Sequence, residues 1–288
     1  MRPAARRRAS VAIALVLLGA RGDAFAQGNA RNGLYISKAA GCVGCHTDTR
    51  PGSSPFAGGR AIDTPFGTFY GSNLTPHREN GLGKWSEEDF RRAIRLGERP
   101  DGTHYFPAFP YASFTGMTDG DVRDLWAYLK TLPTASTPNR PHELRFPFSW
   151  RFLVTFWKWL YYKPGALAPT AKASAMENRG MYLIRTLGHC GECHTPRNTL
   201  GGPKSDRFLA GGKLPEGRTP NLTPTRLKKW SDADLVKFFK SGTTPAGDLV
   251  ADNMGEVVQN STSQLSSEDV AAMIAYLRSL PAQPEETK

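Results

Sequence analysis

The sequence predicts a mostly α fold built from two tandem copies of one small domain. Three observations carry that expectation. The 288 residues suit two domains on the usual scale of roughly 100–200 residues each. The chain matches itself over many anchors when Cys42 is laid on Cys190. No alternating strand pattern of useful length appears between its helical segments. The composition, 39% hydrophobic and 22% charged, is that of a globular chain with a formal net charge of +11.

Residues 1–26 read as an export signal. Arg2, Arg6, Arg7 and Arg8 precede the apolar run from Val11 to Leu18, and Ala24-Phe25-Ala26 is a small-x-small cleavage site. That run is shorter than the ~20 residues needed to span a bilayer. The mature chain is expected to begin at Gln27. Removing five Arg and one Asp with the leader lowers the net charge from +11 to +7.

The mature part divides into a first domain at 27–138, a linker at 139–170 and a second domain at 171–288. Asn73-Leu74-Thr75-Pro76 recurs as Asn221-Leu222-Thr223-Pro224, and Ala127-Tyr128-Leu129 as Ala275-Tyr276-Leu277, both 148 residues on. Gly33-Leu34-Tyr35 returns as Gly180-Met181-Tyr182 at 147, and Lys84-Trp85 as Lys229-Trp230 at 145. Each copy opens with a helix, roughly Asn32 to Ala39 and Asn178 to Leu187. A Gly/Pro-rich stretch follows, broken by a short helix N-capped by Ser86 or Ser231. Leu132-Pro133 and Leu280-Pro281 end the closing helices, because proline cannot continue the ladder. So few helices leave a small core, which favours a large apolar prosthetic group in each copy.

The four cysteines fall as Cys42-Val-Gly-Cys45-His46 and Cys190-Gly-Glu-Cys193-His194. Two thiols at this spacing can each add to a haem vinyl group, and the adjacent histidine can then ligate the iron. Covalent haem c would also explain how exported thiols escape disulfide formation. A thioredoxin-like pair and a zinc site are the competing readings; neither calls for the histidine, which recurs in register. Two covalently bound haem c groups are therefore expected, on Cys42 and Cys45 and on Cys190 and Cys193, with His46 and His194 as proximal iron ligands.

The sixth ligands differ between the copies. Met254 stands in an expected loop ahead of the closing helix and is the candidate for the second haem. Its counterpart is Phe109 by the local offset of 145, or Phe106 by 148, and neither is a ligand. Met117, in register with Leu265, is the substitute candidate for the first haem, with His104 behind it. His77 and His142 read as solvated, His189 as a packing residue near its haem, and Trp85 and Trp230 as haem-edge or core aromatics.

These motifs, together with Phe106-Pro-Ala-Phe-Pro-Tyr111 and Met117-Thr-Asp, resemble the multihaem cytochrome c subunits of bacterial periplasmic alcohol, aldehyde and gluconate dehydrogenases. The resemblance implies two tandem class I cytochrome c-like domains joined by an aromatic linker helix. It places the axial methionine where Met254 stands, and often has methionine where this chain has Phe109. It further implies a periplasmic electron-transfer protein, rather than an enzyme, working between a dehydrogenase and a respiratory acceptor. A dihaem peroxidase with an open first haem is the alternative, kept open by Phe109. A thiosulfate-oxidising dihaem enzyme would want a cysteine axial ligand, and no fifth cysteine exists.

The linker is basic, net +3 over residues 141–170, and twelve of the seventeen residues from Phe146 to Tyr162 are Phe, Trp, Leu, Val or Tyr. Arg151, Thr155, Lys158 and Tyr162 form one polar stripe at helical spacing. Two readings stand open: a connector buried between the domains, or a surface that docks on a partner subunit or a membrane. The export signal argues against nucleic acid.

Overall fold

The computed structural model describes residues 27–215 and 217–285, so the expected leader lies outside the described residues. The first half contains α1 (Ala30–Ala39), α2 (Cys42–His46), β1 (Ala61–Thr64), β2 (Gly67–Tyr70), α3 (Glu87–Leu96), α4 (Tyr111–Phe114) and α5 (Asp119–Leu129). Then come β3 (Glu143–Leu144) and α6 (Leu153–Tyr161). The second half contains α7 (Ala175–Tyr182), a π-helical turn at Leu183–Leu187, α8 (Gly191–His194), β4 (Gly212–Leu214) and β5 (Gly217–Thr219). It closes with α9 (Pro224–Leu227), α10 (Asp232–Ser241), α11 (Asp252–Asn260) and α12 (Ser267–Ser279).

In each half the opening helix crosses the closing one at a glycine. A Cβ on Gly33 would lie 1.9 Å from the Asp124 carbonyl oxygen, and one on Gly180 would lie 1.9 Å from that of Ala272. The repeated glycine thus lets α1 meet α5, and α7 meet α12, backbone against backbone. Thr118 and Ser266 cap the closing helices by accepting the N–H of Asp121 and Asp269. α7 starts three residues before the expected Asn178, because Ser174 and Glu177 form a reciprocal capping box.

The offset between the copies rises from 147 at Gly180 to 148 at Cys190, one extra residue within the leading helix. The π-turn at Leu183–Leu187 is where it goes. A single wide turn absorbs one residue without breaking the helix.

Short strands do occur in the Gly/Pro-rich stretches. β1 and β2 form an antiparallel hairpin, extended by β3 against Gly67 and Thr68, and β4 pairs with β5. At two to four residues each they are too short to print a period in the sequence.

The two halves pack as a pseudo-twofold pair over one continuous core. Tyr35 donates its hydroxyl to Asp269 at 2.6 Å, and the equivalent Tyr182 donates to Asp121. Each carboxylate sits in the first turn of the other half's closing helix. Removing either hydroxyl (Tyr35→Phe or Tyr182→Phe) is expected to cost about 1–2 kcal/mol, read from denaturant unfolding; unchanged midpoints would show the pairs to be idle. Burial works against the Asp269 carboxylate, but hydrogen bonds from Arg179 and Tyr35 outweigh it and hold its pKa below the ordinary value. Its contribution is fully present above about pH 4 and is lost as pH falls through that lowered pKa.

Of the aromatic stretch from Phe146 to Tyr162, only Leu153–Tyr161 is helical, and its orientation overturns the buried-connector reading. The polar side faces the protein. Arg151 donates to the His104 carbonyl at 2.6 Å, Lys158 to the Leu96 carbonyl at 2.7 Å, and Tyr162 to the Arg95 carbonyl. Thr155 alone of the stripe is exposed. Val154 is the one buried residue of α6, Trp157 packs on Tyr111, and Phe156, Trp159 and Leu160 point outward.

Candidate haem sites

Both Cys-x-x-Cys-His motifs fold as a single helical turn, which sets the two thiols on adjacent corners and the histidine after them. The four cysteines form no disulfide. The apolar packing around Cys42 pushes its thiol up to about 11, and that around Cys190 to about 12. A redox-active dithiol needs the opposite, a thiol lowered towards neutrality. The direction of that shift argues against the thioredoxin-like reading.

The histidines are arranged alike. His46 Nδ1 lies 2.7 Å from the Ser72 carbonyl oxygen, and His194 Nδ1 lies 2.8 Å from that of Pro220, each 26 residues downstream. A carbonyl can only accept, so Nδ1 carries the proton and Nε2 keeps its lone pair. That is the tautomer a metal-ligating imidazole needs, with the ring held by an outer hydrogen bond. Burial lowers the pKa of both rings, which keeps them neutral at physiological pH. Two thiols and an oriented neutral imidazole fit a covalently held haem in each half.

The acceptor carbonyls are themselves held. Asn73 and Asn221, the next residues, are buried, and each side-chain oxygen accepts from the backbone and hydroxyl of the threonine two positions on. Their amide groups donate to the tails beyond the closing helices, Asn73 to Ala135 and Thr137, Asn221 to Gln283. The repeated Asn-Leu-Thr-Pro motif thus fixes the wall that orients the histidine. The repeat flags this motif, but its role is hidden in the sequence because the bonded group is a backbone carbonyl.

On the opposite side the structure resolves the choice between offsets. α3 and α10 both end on left-handed glycines, Gly97 and Gly242. The bridges Glu98–His104 and Thr243–Leu249 follow, and Tyr105 and Val250 donate back to those glycine carbonyls. Every pair is 145 apart, so Phe109 is the counterpart of Met254. Three extra residues then enter the second half as the 3-10 turn Thr262–Gln264. Met117 consequently matches Leu265; both are buried in the core, immediately before an N-cap. Met254 is half-buried and is the third residue of α11, a helix where the sequence suggests a loop.

His104 has its Nδ1 3.1 Å from Lys158 Nζ. His189 adopts a left-handed conformation (φ 38°), bonds the Ala40 backbone and meets Phe114 edge-on, so it serves the contact between halves. Trp85 and Trp230 pack at the edge of the core.

The motif turns also meet across the halves. Gly44 of α2 faces Asn260 of α11, and Arg60 pairs with Glu256 at 2.9 Å. On the other side Ser113 of α4 donates to Glu192 of α8. Each attachment turn therefore leans on a helix of the opposite half, α2 on α11 and α8 on α4.

The cytochrome c family matches residues 30–133 and 179–281. Over 96% of its length the chain is 42% identical to a diheme cytochrome c-type protein of Cereibacter sphaeroides, of which it covers 99%. It is 40% identical to the fructose dehydrogenase cytochrome subunit of Gluconobacter japonicus and 35% identical to the cytochrome c subunit of the quinone alcohol dehydrogenase of Gluconobacter oxydans. Each of those alignments covers 88% of this chain and about half of the relative, 53% and 55%. The peroxidase reading draws no support from these relatives.

Proposed function

Because the chain belongs to the cytochrome c family, with two such domains in tandem, we propose that it is a periplasmic dihaem cytochrome c carrying single electrons from a dehydrogenase partner to a respiratory acceptor. The observation that carries this reading is the twice-built site: Cys-x-x-Cys-His with Nδ1 committed to a carbonyl in both halves. The relatives named as dehydrogenase cytochrome subunits support the electron donor.

Bound haem supplies a one-electron iron couple. The chain does the rest. Cys42 and Cys45, and Cys190 and Cys193, would tether the groups through thioethers. His46 and His194 would hold the irons through Nε2, and Met254 would be a further ligand to the second. Met117 is the sequence candidate for the first haem; its burial in the place of Leu265 supports a packing role instead, which would leave Phe109 facing that haem. Packing α2 on α11 and α8 beside α4 brings both attachment turns to one interface, which suits exchange between the haems inside the chain.

Intact-mass measurement of the exported protein is expected to show a chain beginning at Gln27 plus two haems that acid acetone does not extract. A single haem, or extractable haem, would refute the assignment. The holoprotein is further expected to be reduced rapidly by its dehydrogenase while turning over peroxide negligibly.

A further inference from the structure

A surface helix ordinarily turns its apolar stripe to the core and its charges to water. α6, with the residues flanking it, does the reverse. Arg151, Lys158 and Tyr162 are consumed in hydrogen bonds to the carbonyls of residues 104, 96 and 95. The opposite side, with the turn before it, carries Phe146 (75% exposed), Phe152 (58%), Phe156 (60%) and Trp159 (82%), joined by Phe148, Trp150 and Leu160. More than half of the exposed large hydrophobic side chains among the described residues fall in these fifteen positions. Scattered single exposures are normal; a contiguous aromatic ridge marks a contact.

The charge around the ridge identifies the contact. From Leu144 to Met176 there is no acidic residue, while Arg145, Arg151, Lys158, Lys163 and Lys172 all fall within the segment. Arg145 and Lys163, at either end of the aromatic stretch, are exposed. Individually protruding Trp and Phe rings with cations at their flanks match the headgroup region of an anionic bilayer, where aromatic rings sit at the boundary and Lys and Arg meet phosphate. No helix among the described residues is long and apolar enough to cross a membrane. We propose that the Phe146–Leu160 ridge lies in the surface of an anionic lipid bilayer and holds the first cytochrome domain against it. The proposal is independent of haem occupancy.

The full-length holoprotein, sedimented with vesicles of phosphatidylcholine alone or mixed with phosphatidylglycerol and followed by protein in the pellet, tests it. Binding is expected to be several-fold stronger to the mixed vesicles. Phe156→Ser/Trp159→Ser is expected to lower the partition coefficient at least about tenfold on mixed vesicles. Because both side chains are mostly exposed, its haem spectrum and melting midpoint are expected to stay as in the parent. Arg145→Gln/Lys163→Gln is expected to remove roughly fivefold per charge, on anionic vesicles only. Failure of the parent to sediment with mixed vesicles would overturn the proposal, as would serine variants that bind undiminished. Loss of dehydrogenase association in the serine variant, without vesicle binding by the parent, would make the ridge a protein interface and equally overturn it.

Discussion

Met254→Ala is expected to abolish the thioether–iron charge-transfer band at the red end of the ferric spectrum, and with it the higher of two resolvable reduction potentials. Thioether ligation raises a haem potential, and axial ligation commands a span of about 0.8 V, so a fall on the order of 0.1–0.2 V is expected for that haem. The other potential is expected to stay within a few hundredths of a volt. The reason is structural. Met254 and Phe109 occupy the same place after matched glycine caps and matched bridges, so only one half carries a methionine there. Met117→Leu supplies the contrast. It places in the first half the side chain that the second half already uses at position 265, a near-isosteric exchange costing less than about 1.5 kcal/mol. Its spectrum is expected to match the parent's. Loss of a charge-transfer component in Met117→Leu would restore Met117 as a ligand and refute the packing assignment. A Met254→Ala spectrum that keeps the band would refute the other half of the argument.

The second large effect is on stability. Gly33→Ala or Gly180→Ala would force a methyl group to within 1.9 Å of a carbonyl oxygen on the crossing helix. No rotamer relieves a Cβ clash with backbone, so the helices must separate along their contact. A loss of at least about 3 kcal/mol is expected from each, lowering the melting midpoint by roughly 6–12 °C for a chain of this size. Gly120→Ala is the control. That glycine is exposed in the first turn of α5, with its nearest outside neighbour 3.8 Å from a Cβ, and alanine there is expected to stabilise by about 0.5–1 kcal/mol. Melting followed by far-ultraviolet circular dichroism separates the cases. Equal midpoints for Gly33→Ala and Gly120→Ala would show that the crossing is looser than described.

Much of this protein is legible in its linear sequence. Cys-x-x-Cys-His is local chemistry: two thiols and an imidazole must sit on one turn, so their spacing along the chain is fixed. The repeat is legible because it preserves caps and glycines, whose roles are set by backbone geometry. Ser86 and Ser231 cap where expected, and each forms a full capping box with an aspartate three residues on. The hairpin strands are not legible, since strands of two to four residues set no period.

The sequence by itself determined that two modules are present, that each carries two thiols and an adjacent histidine, and that Met254 has no methionine counterpart in the first half. Tertiary structure alone decided how the insertions are absorbed: one residue in the π-turn at Leu183–Leu187, three in the turn at Thr262–Gln264. It thereby chose Phe109 over Phe106 as the counterpart of Met254. It also decided that His46 and His194 are oriented by backbone carbonyls 26 residues away, and that α6 turns its aromatic side to the outside. These share one physical reason. A carbonyl acceptor is the same atom in every residue and leaves no trace in composition. An amphipathic stripe tells which residues share a side of a helix, but carries no information on which side has partners. Arg151 and Lys158 found carbonyls on the first domain, and that chain-distant pairing set the direction in which the rings point.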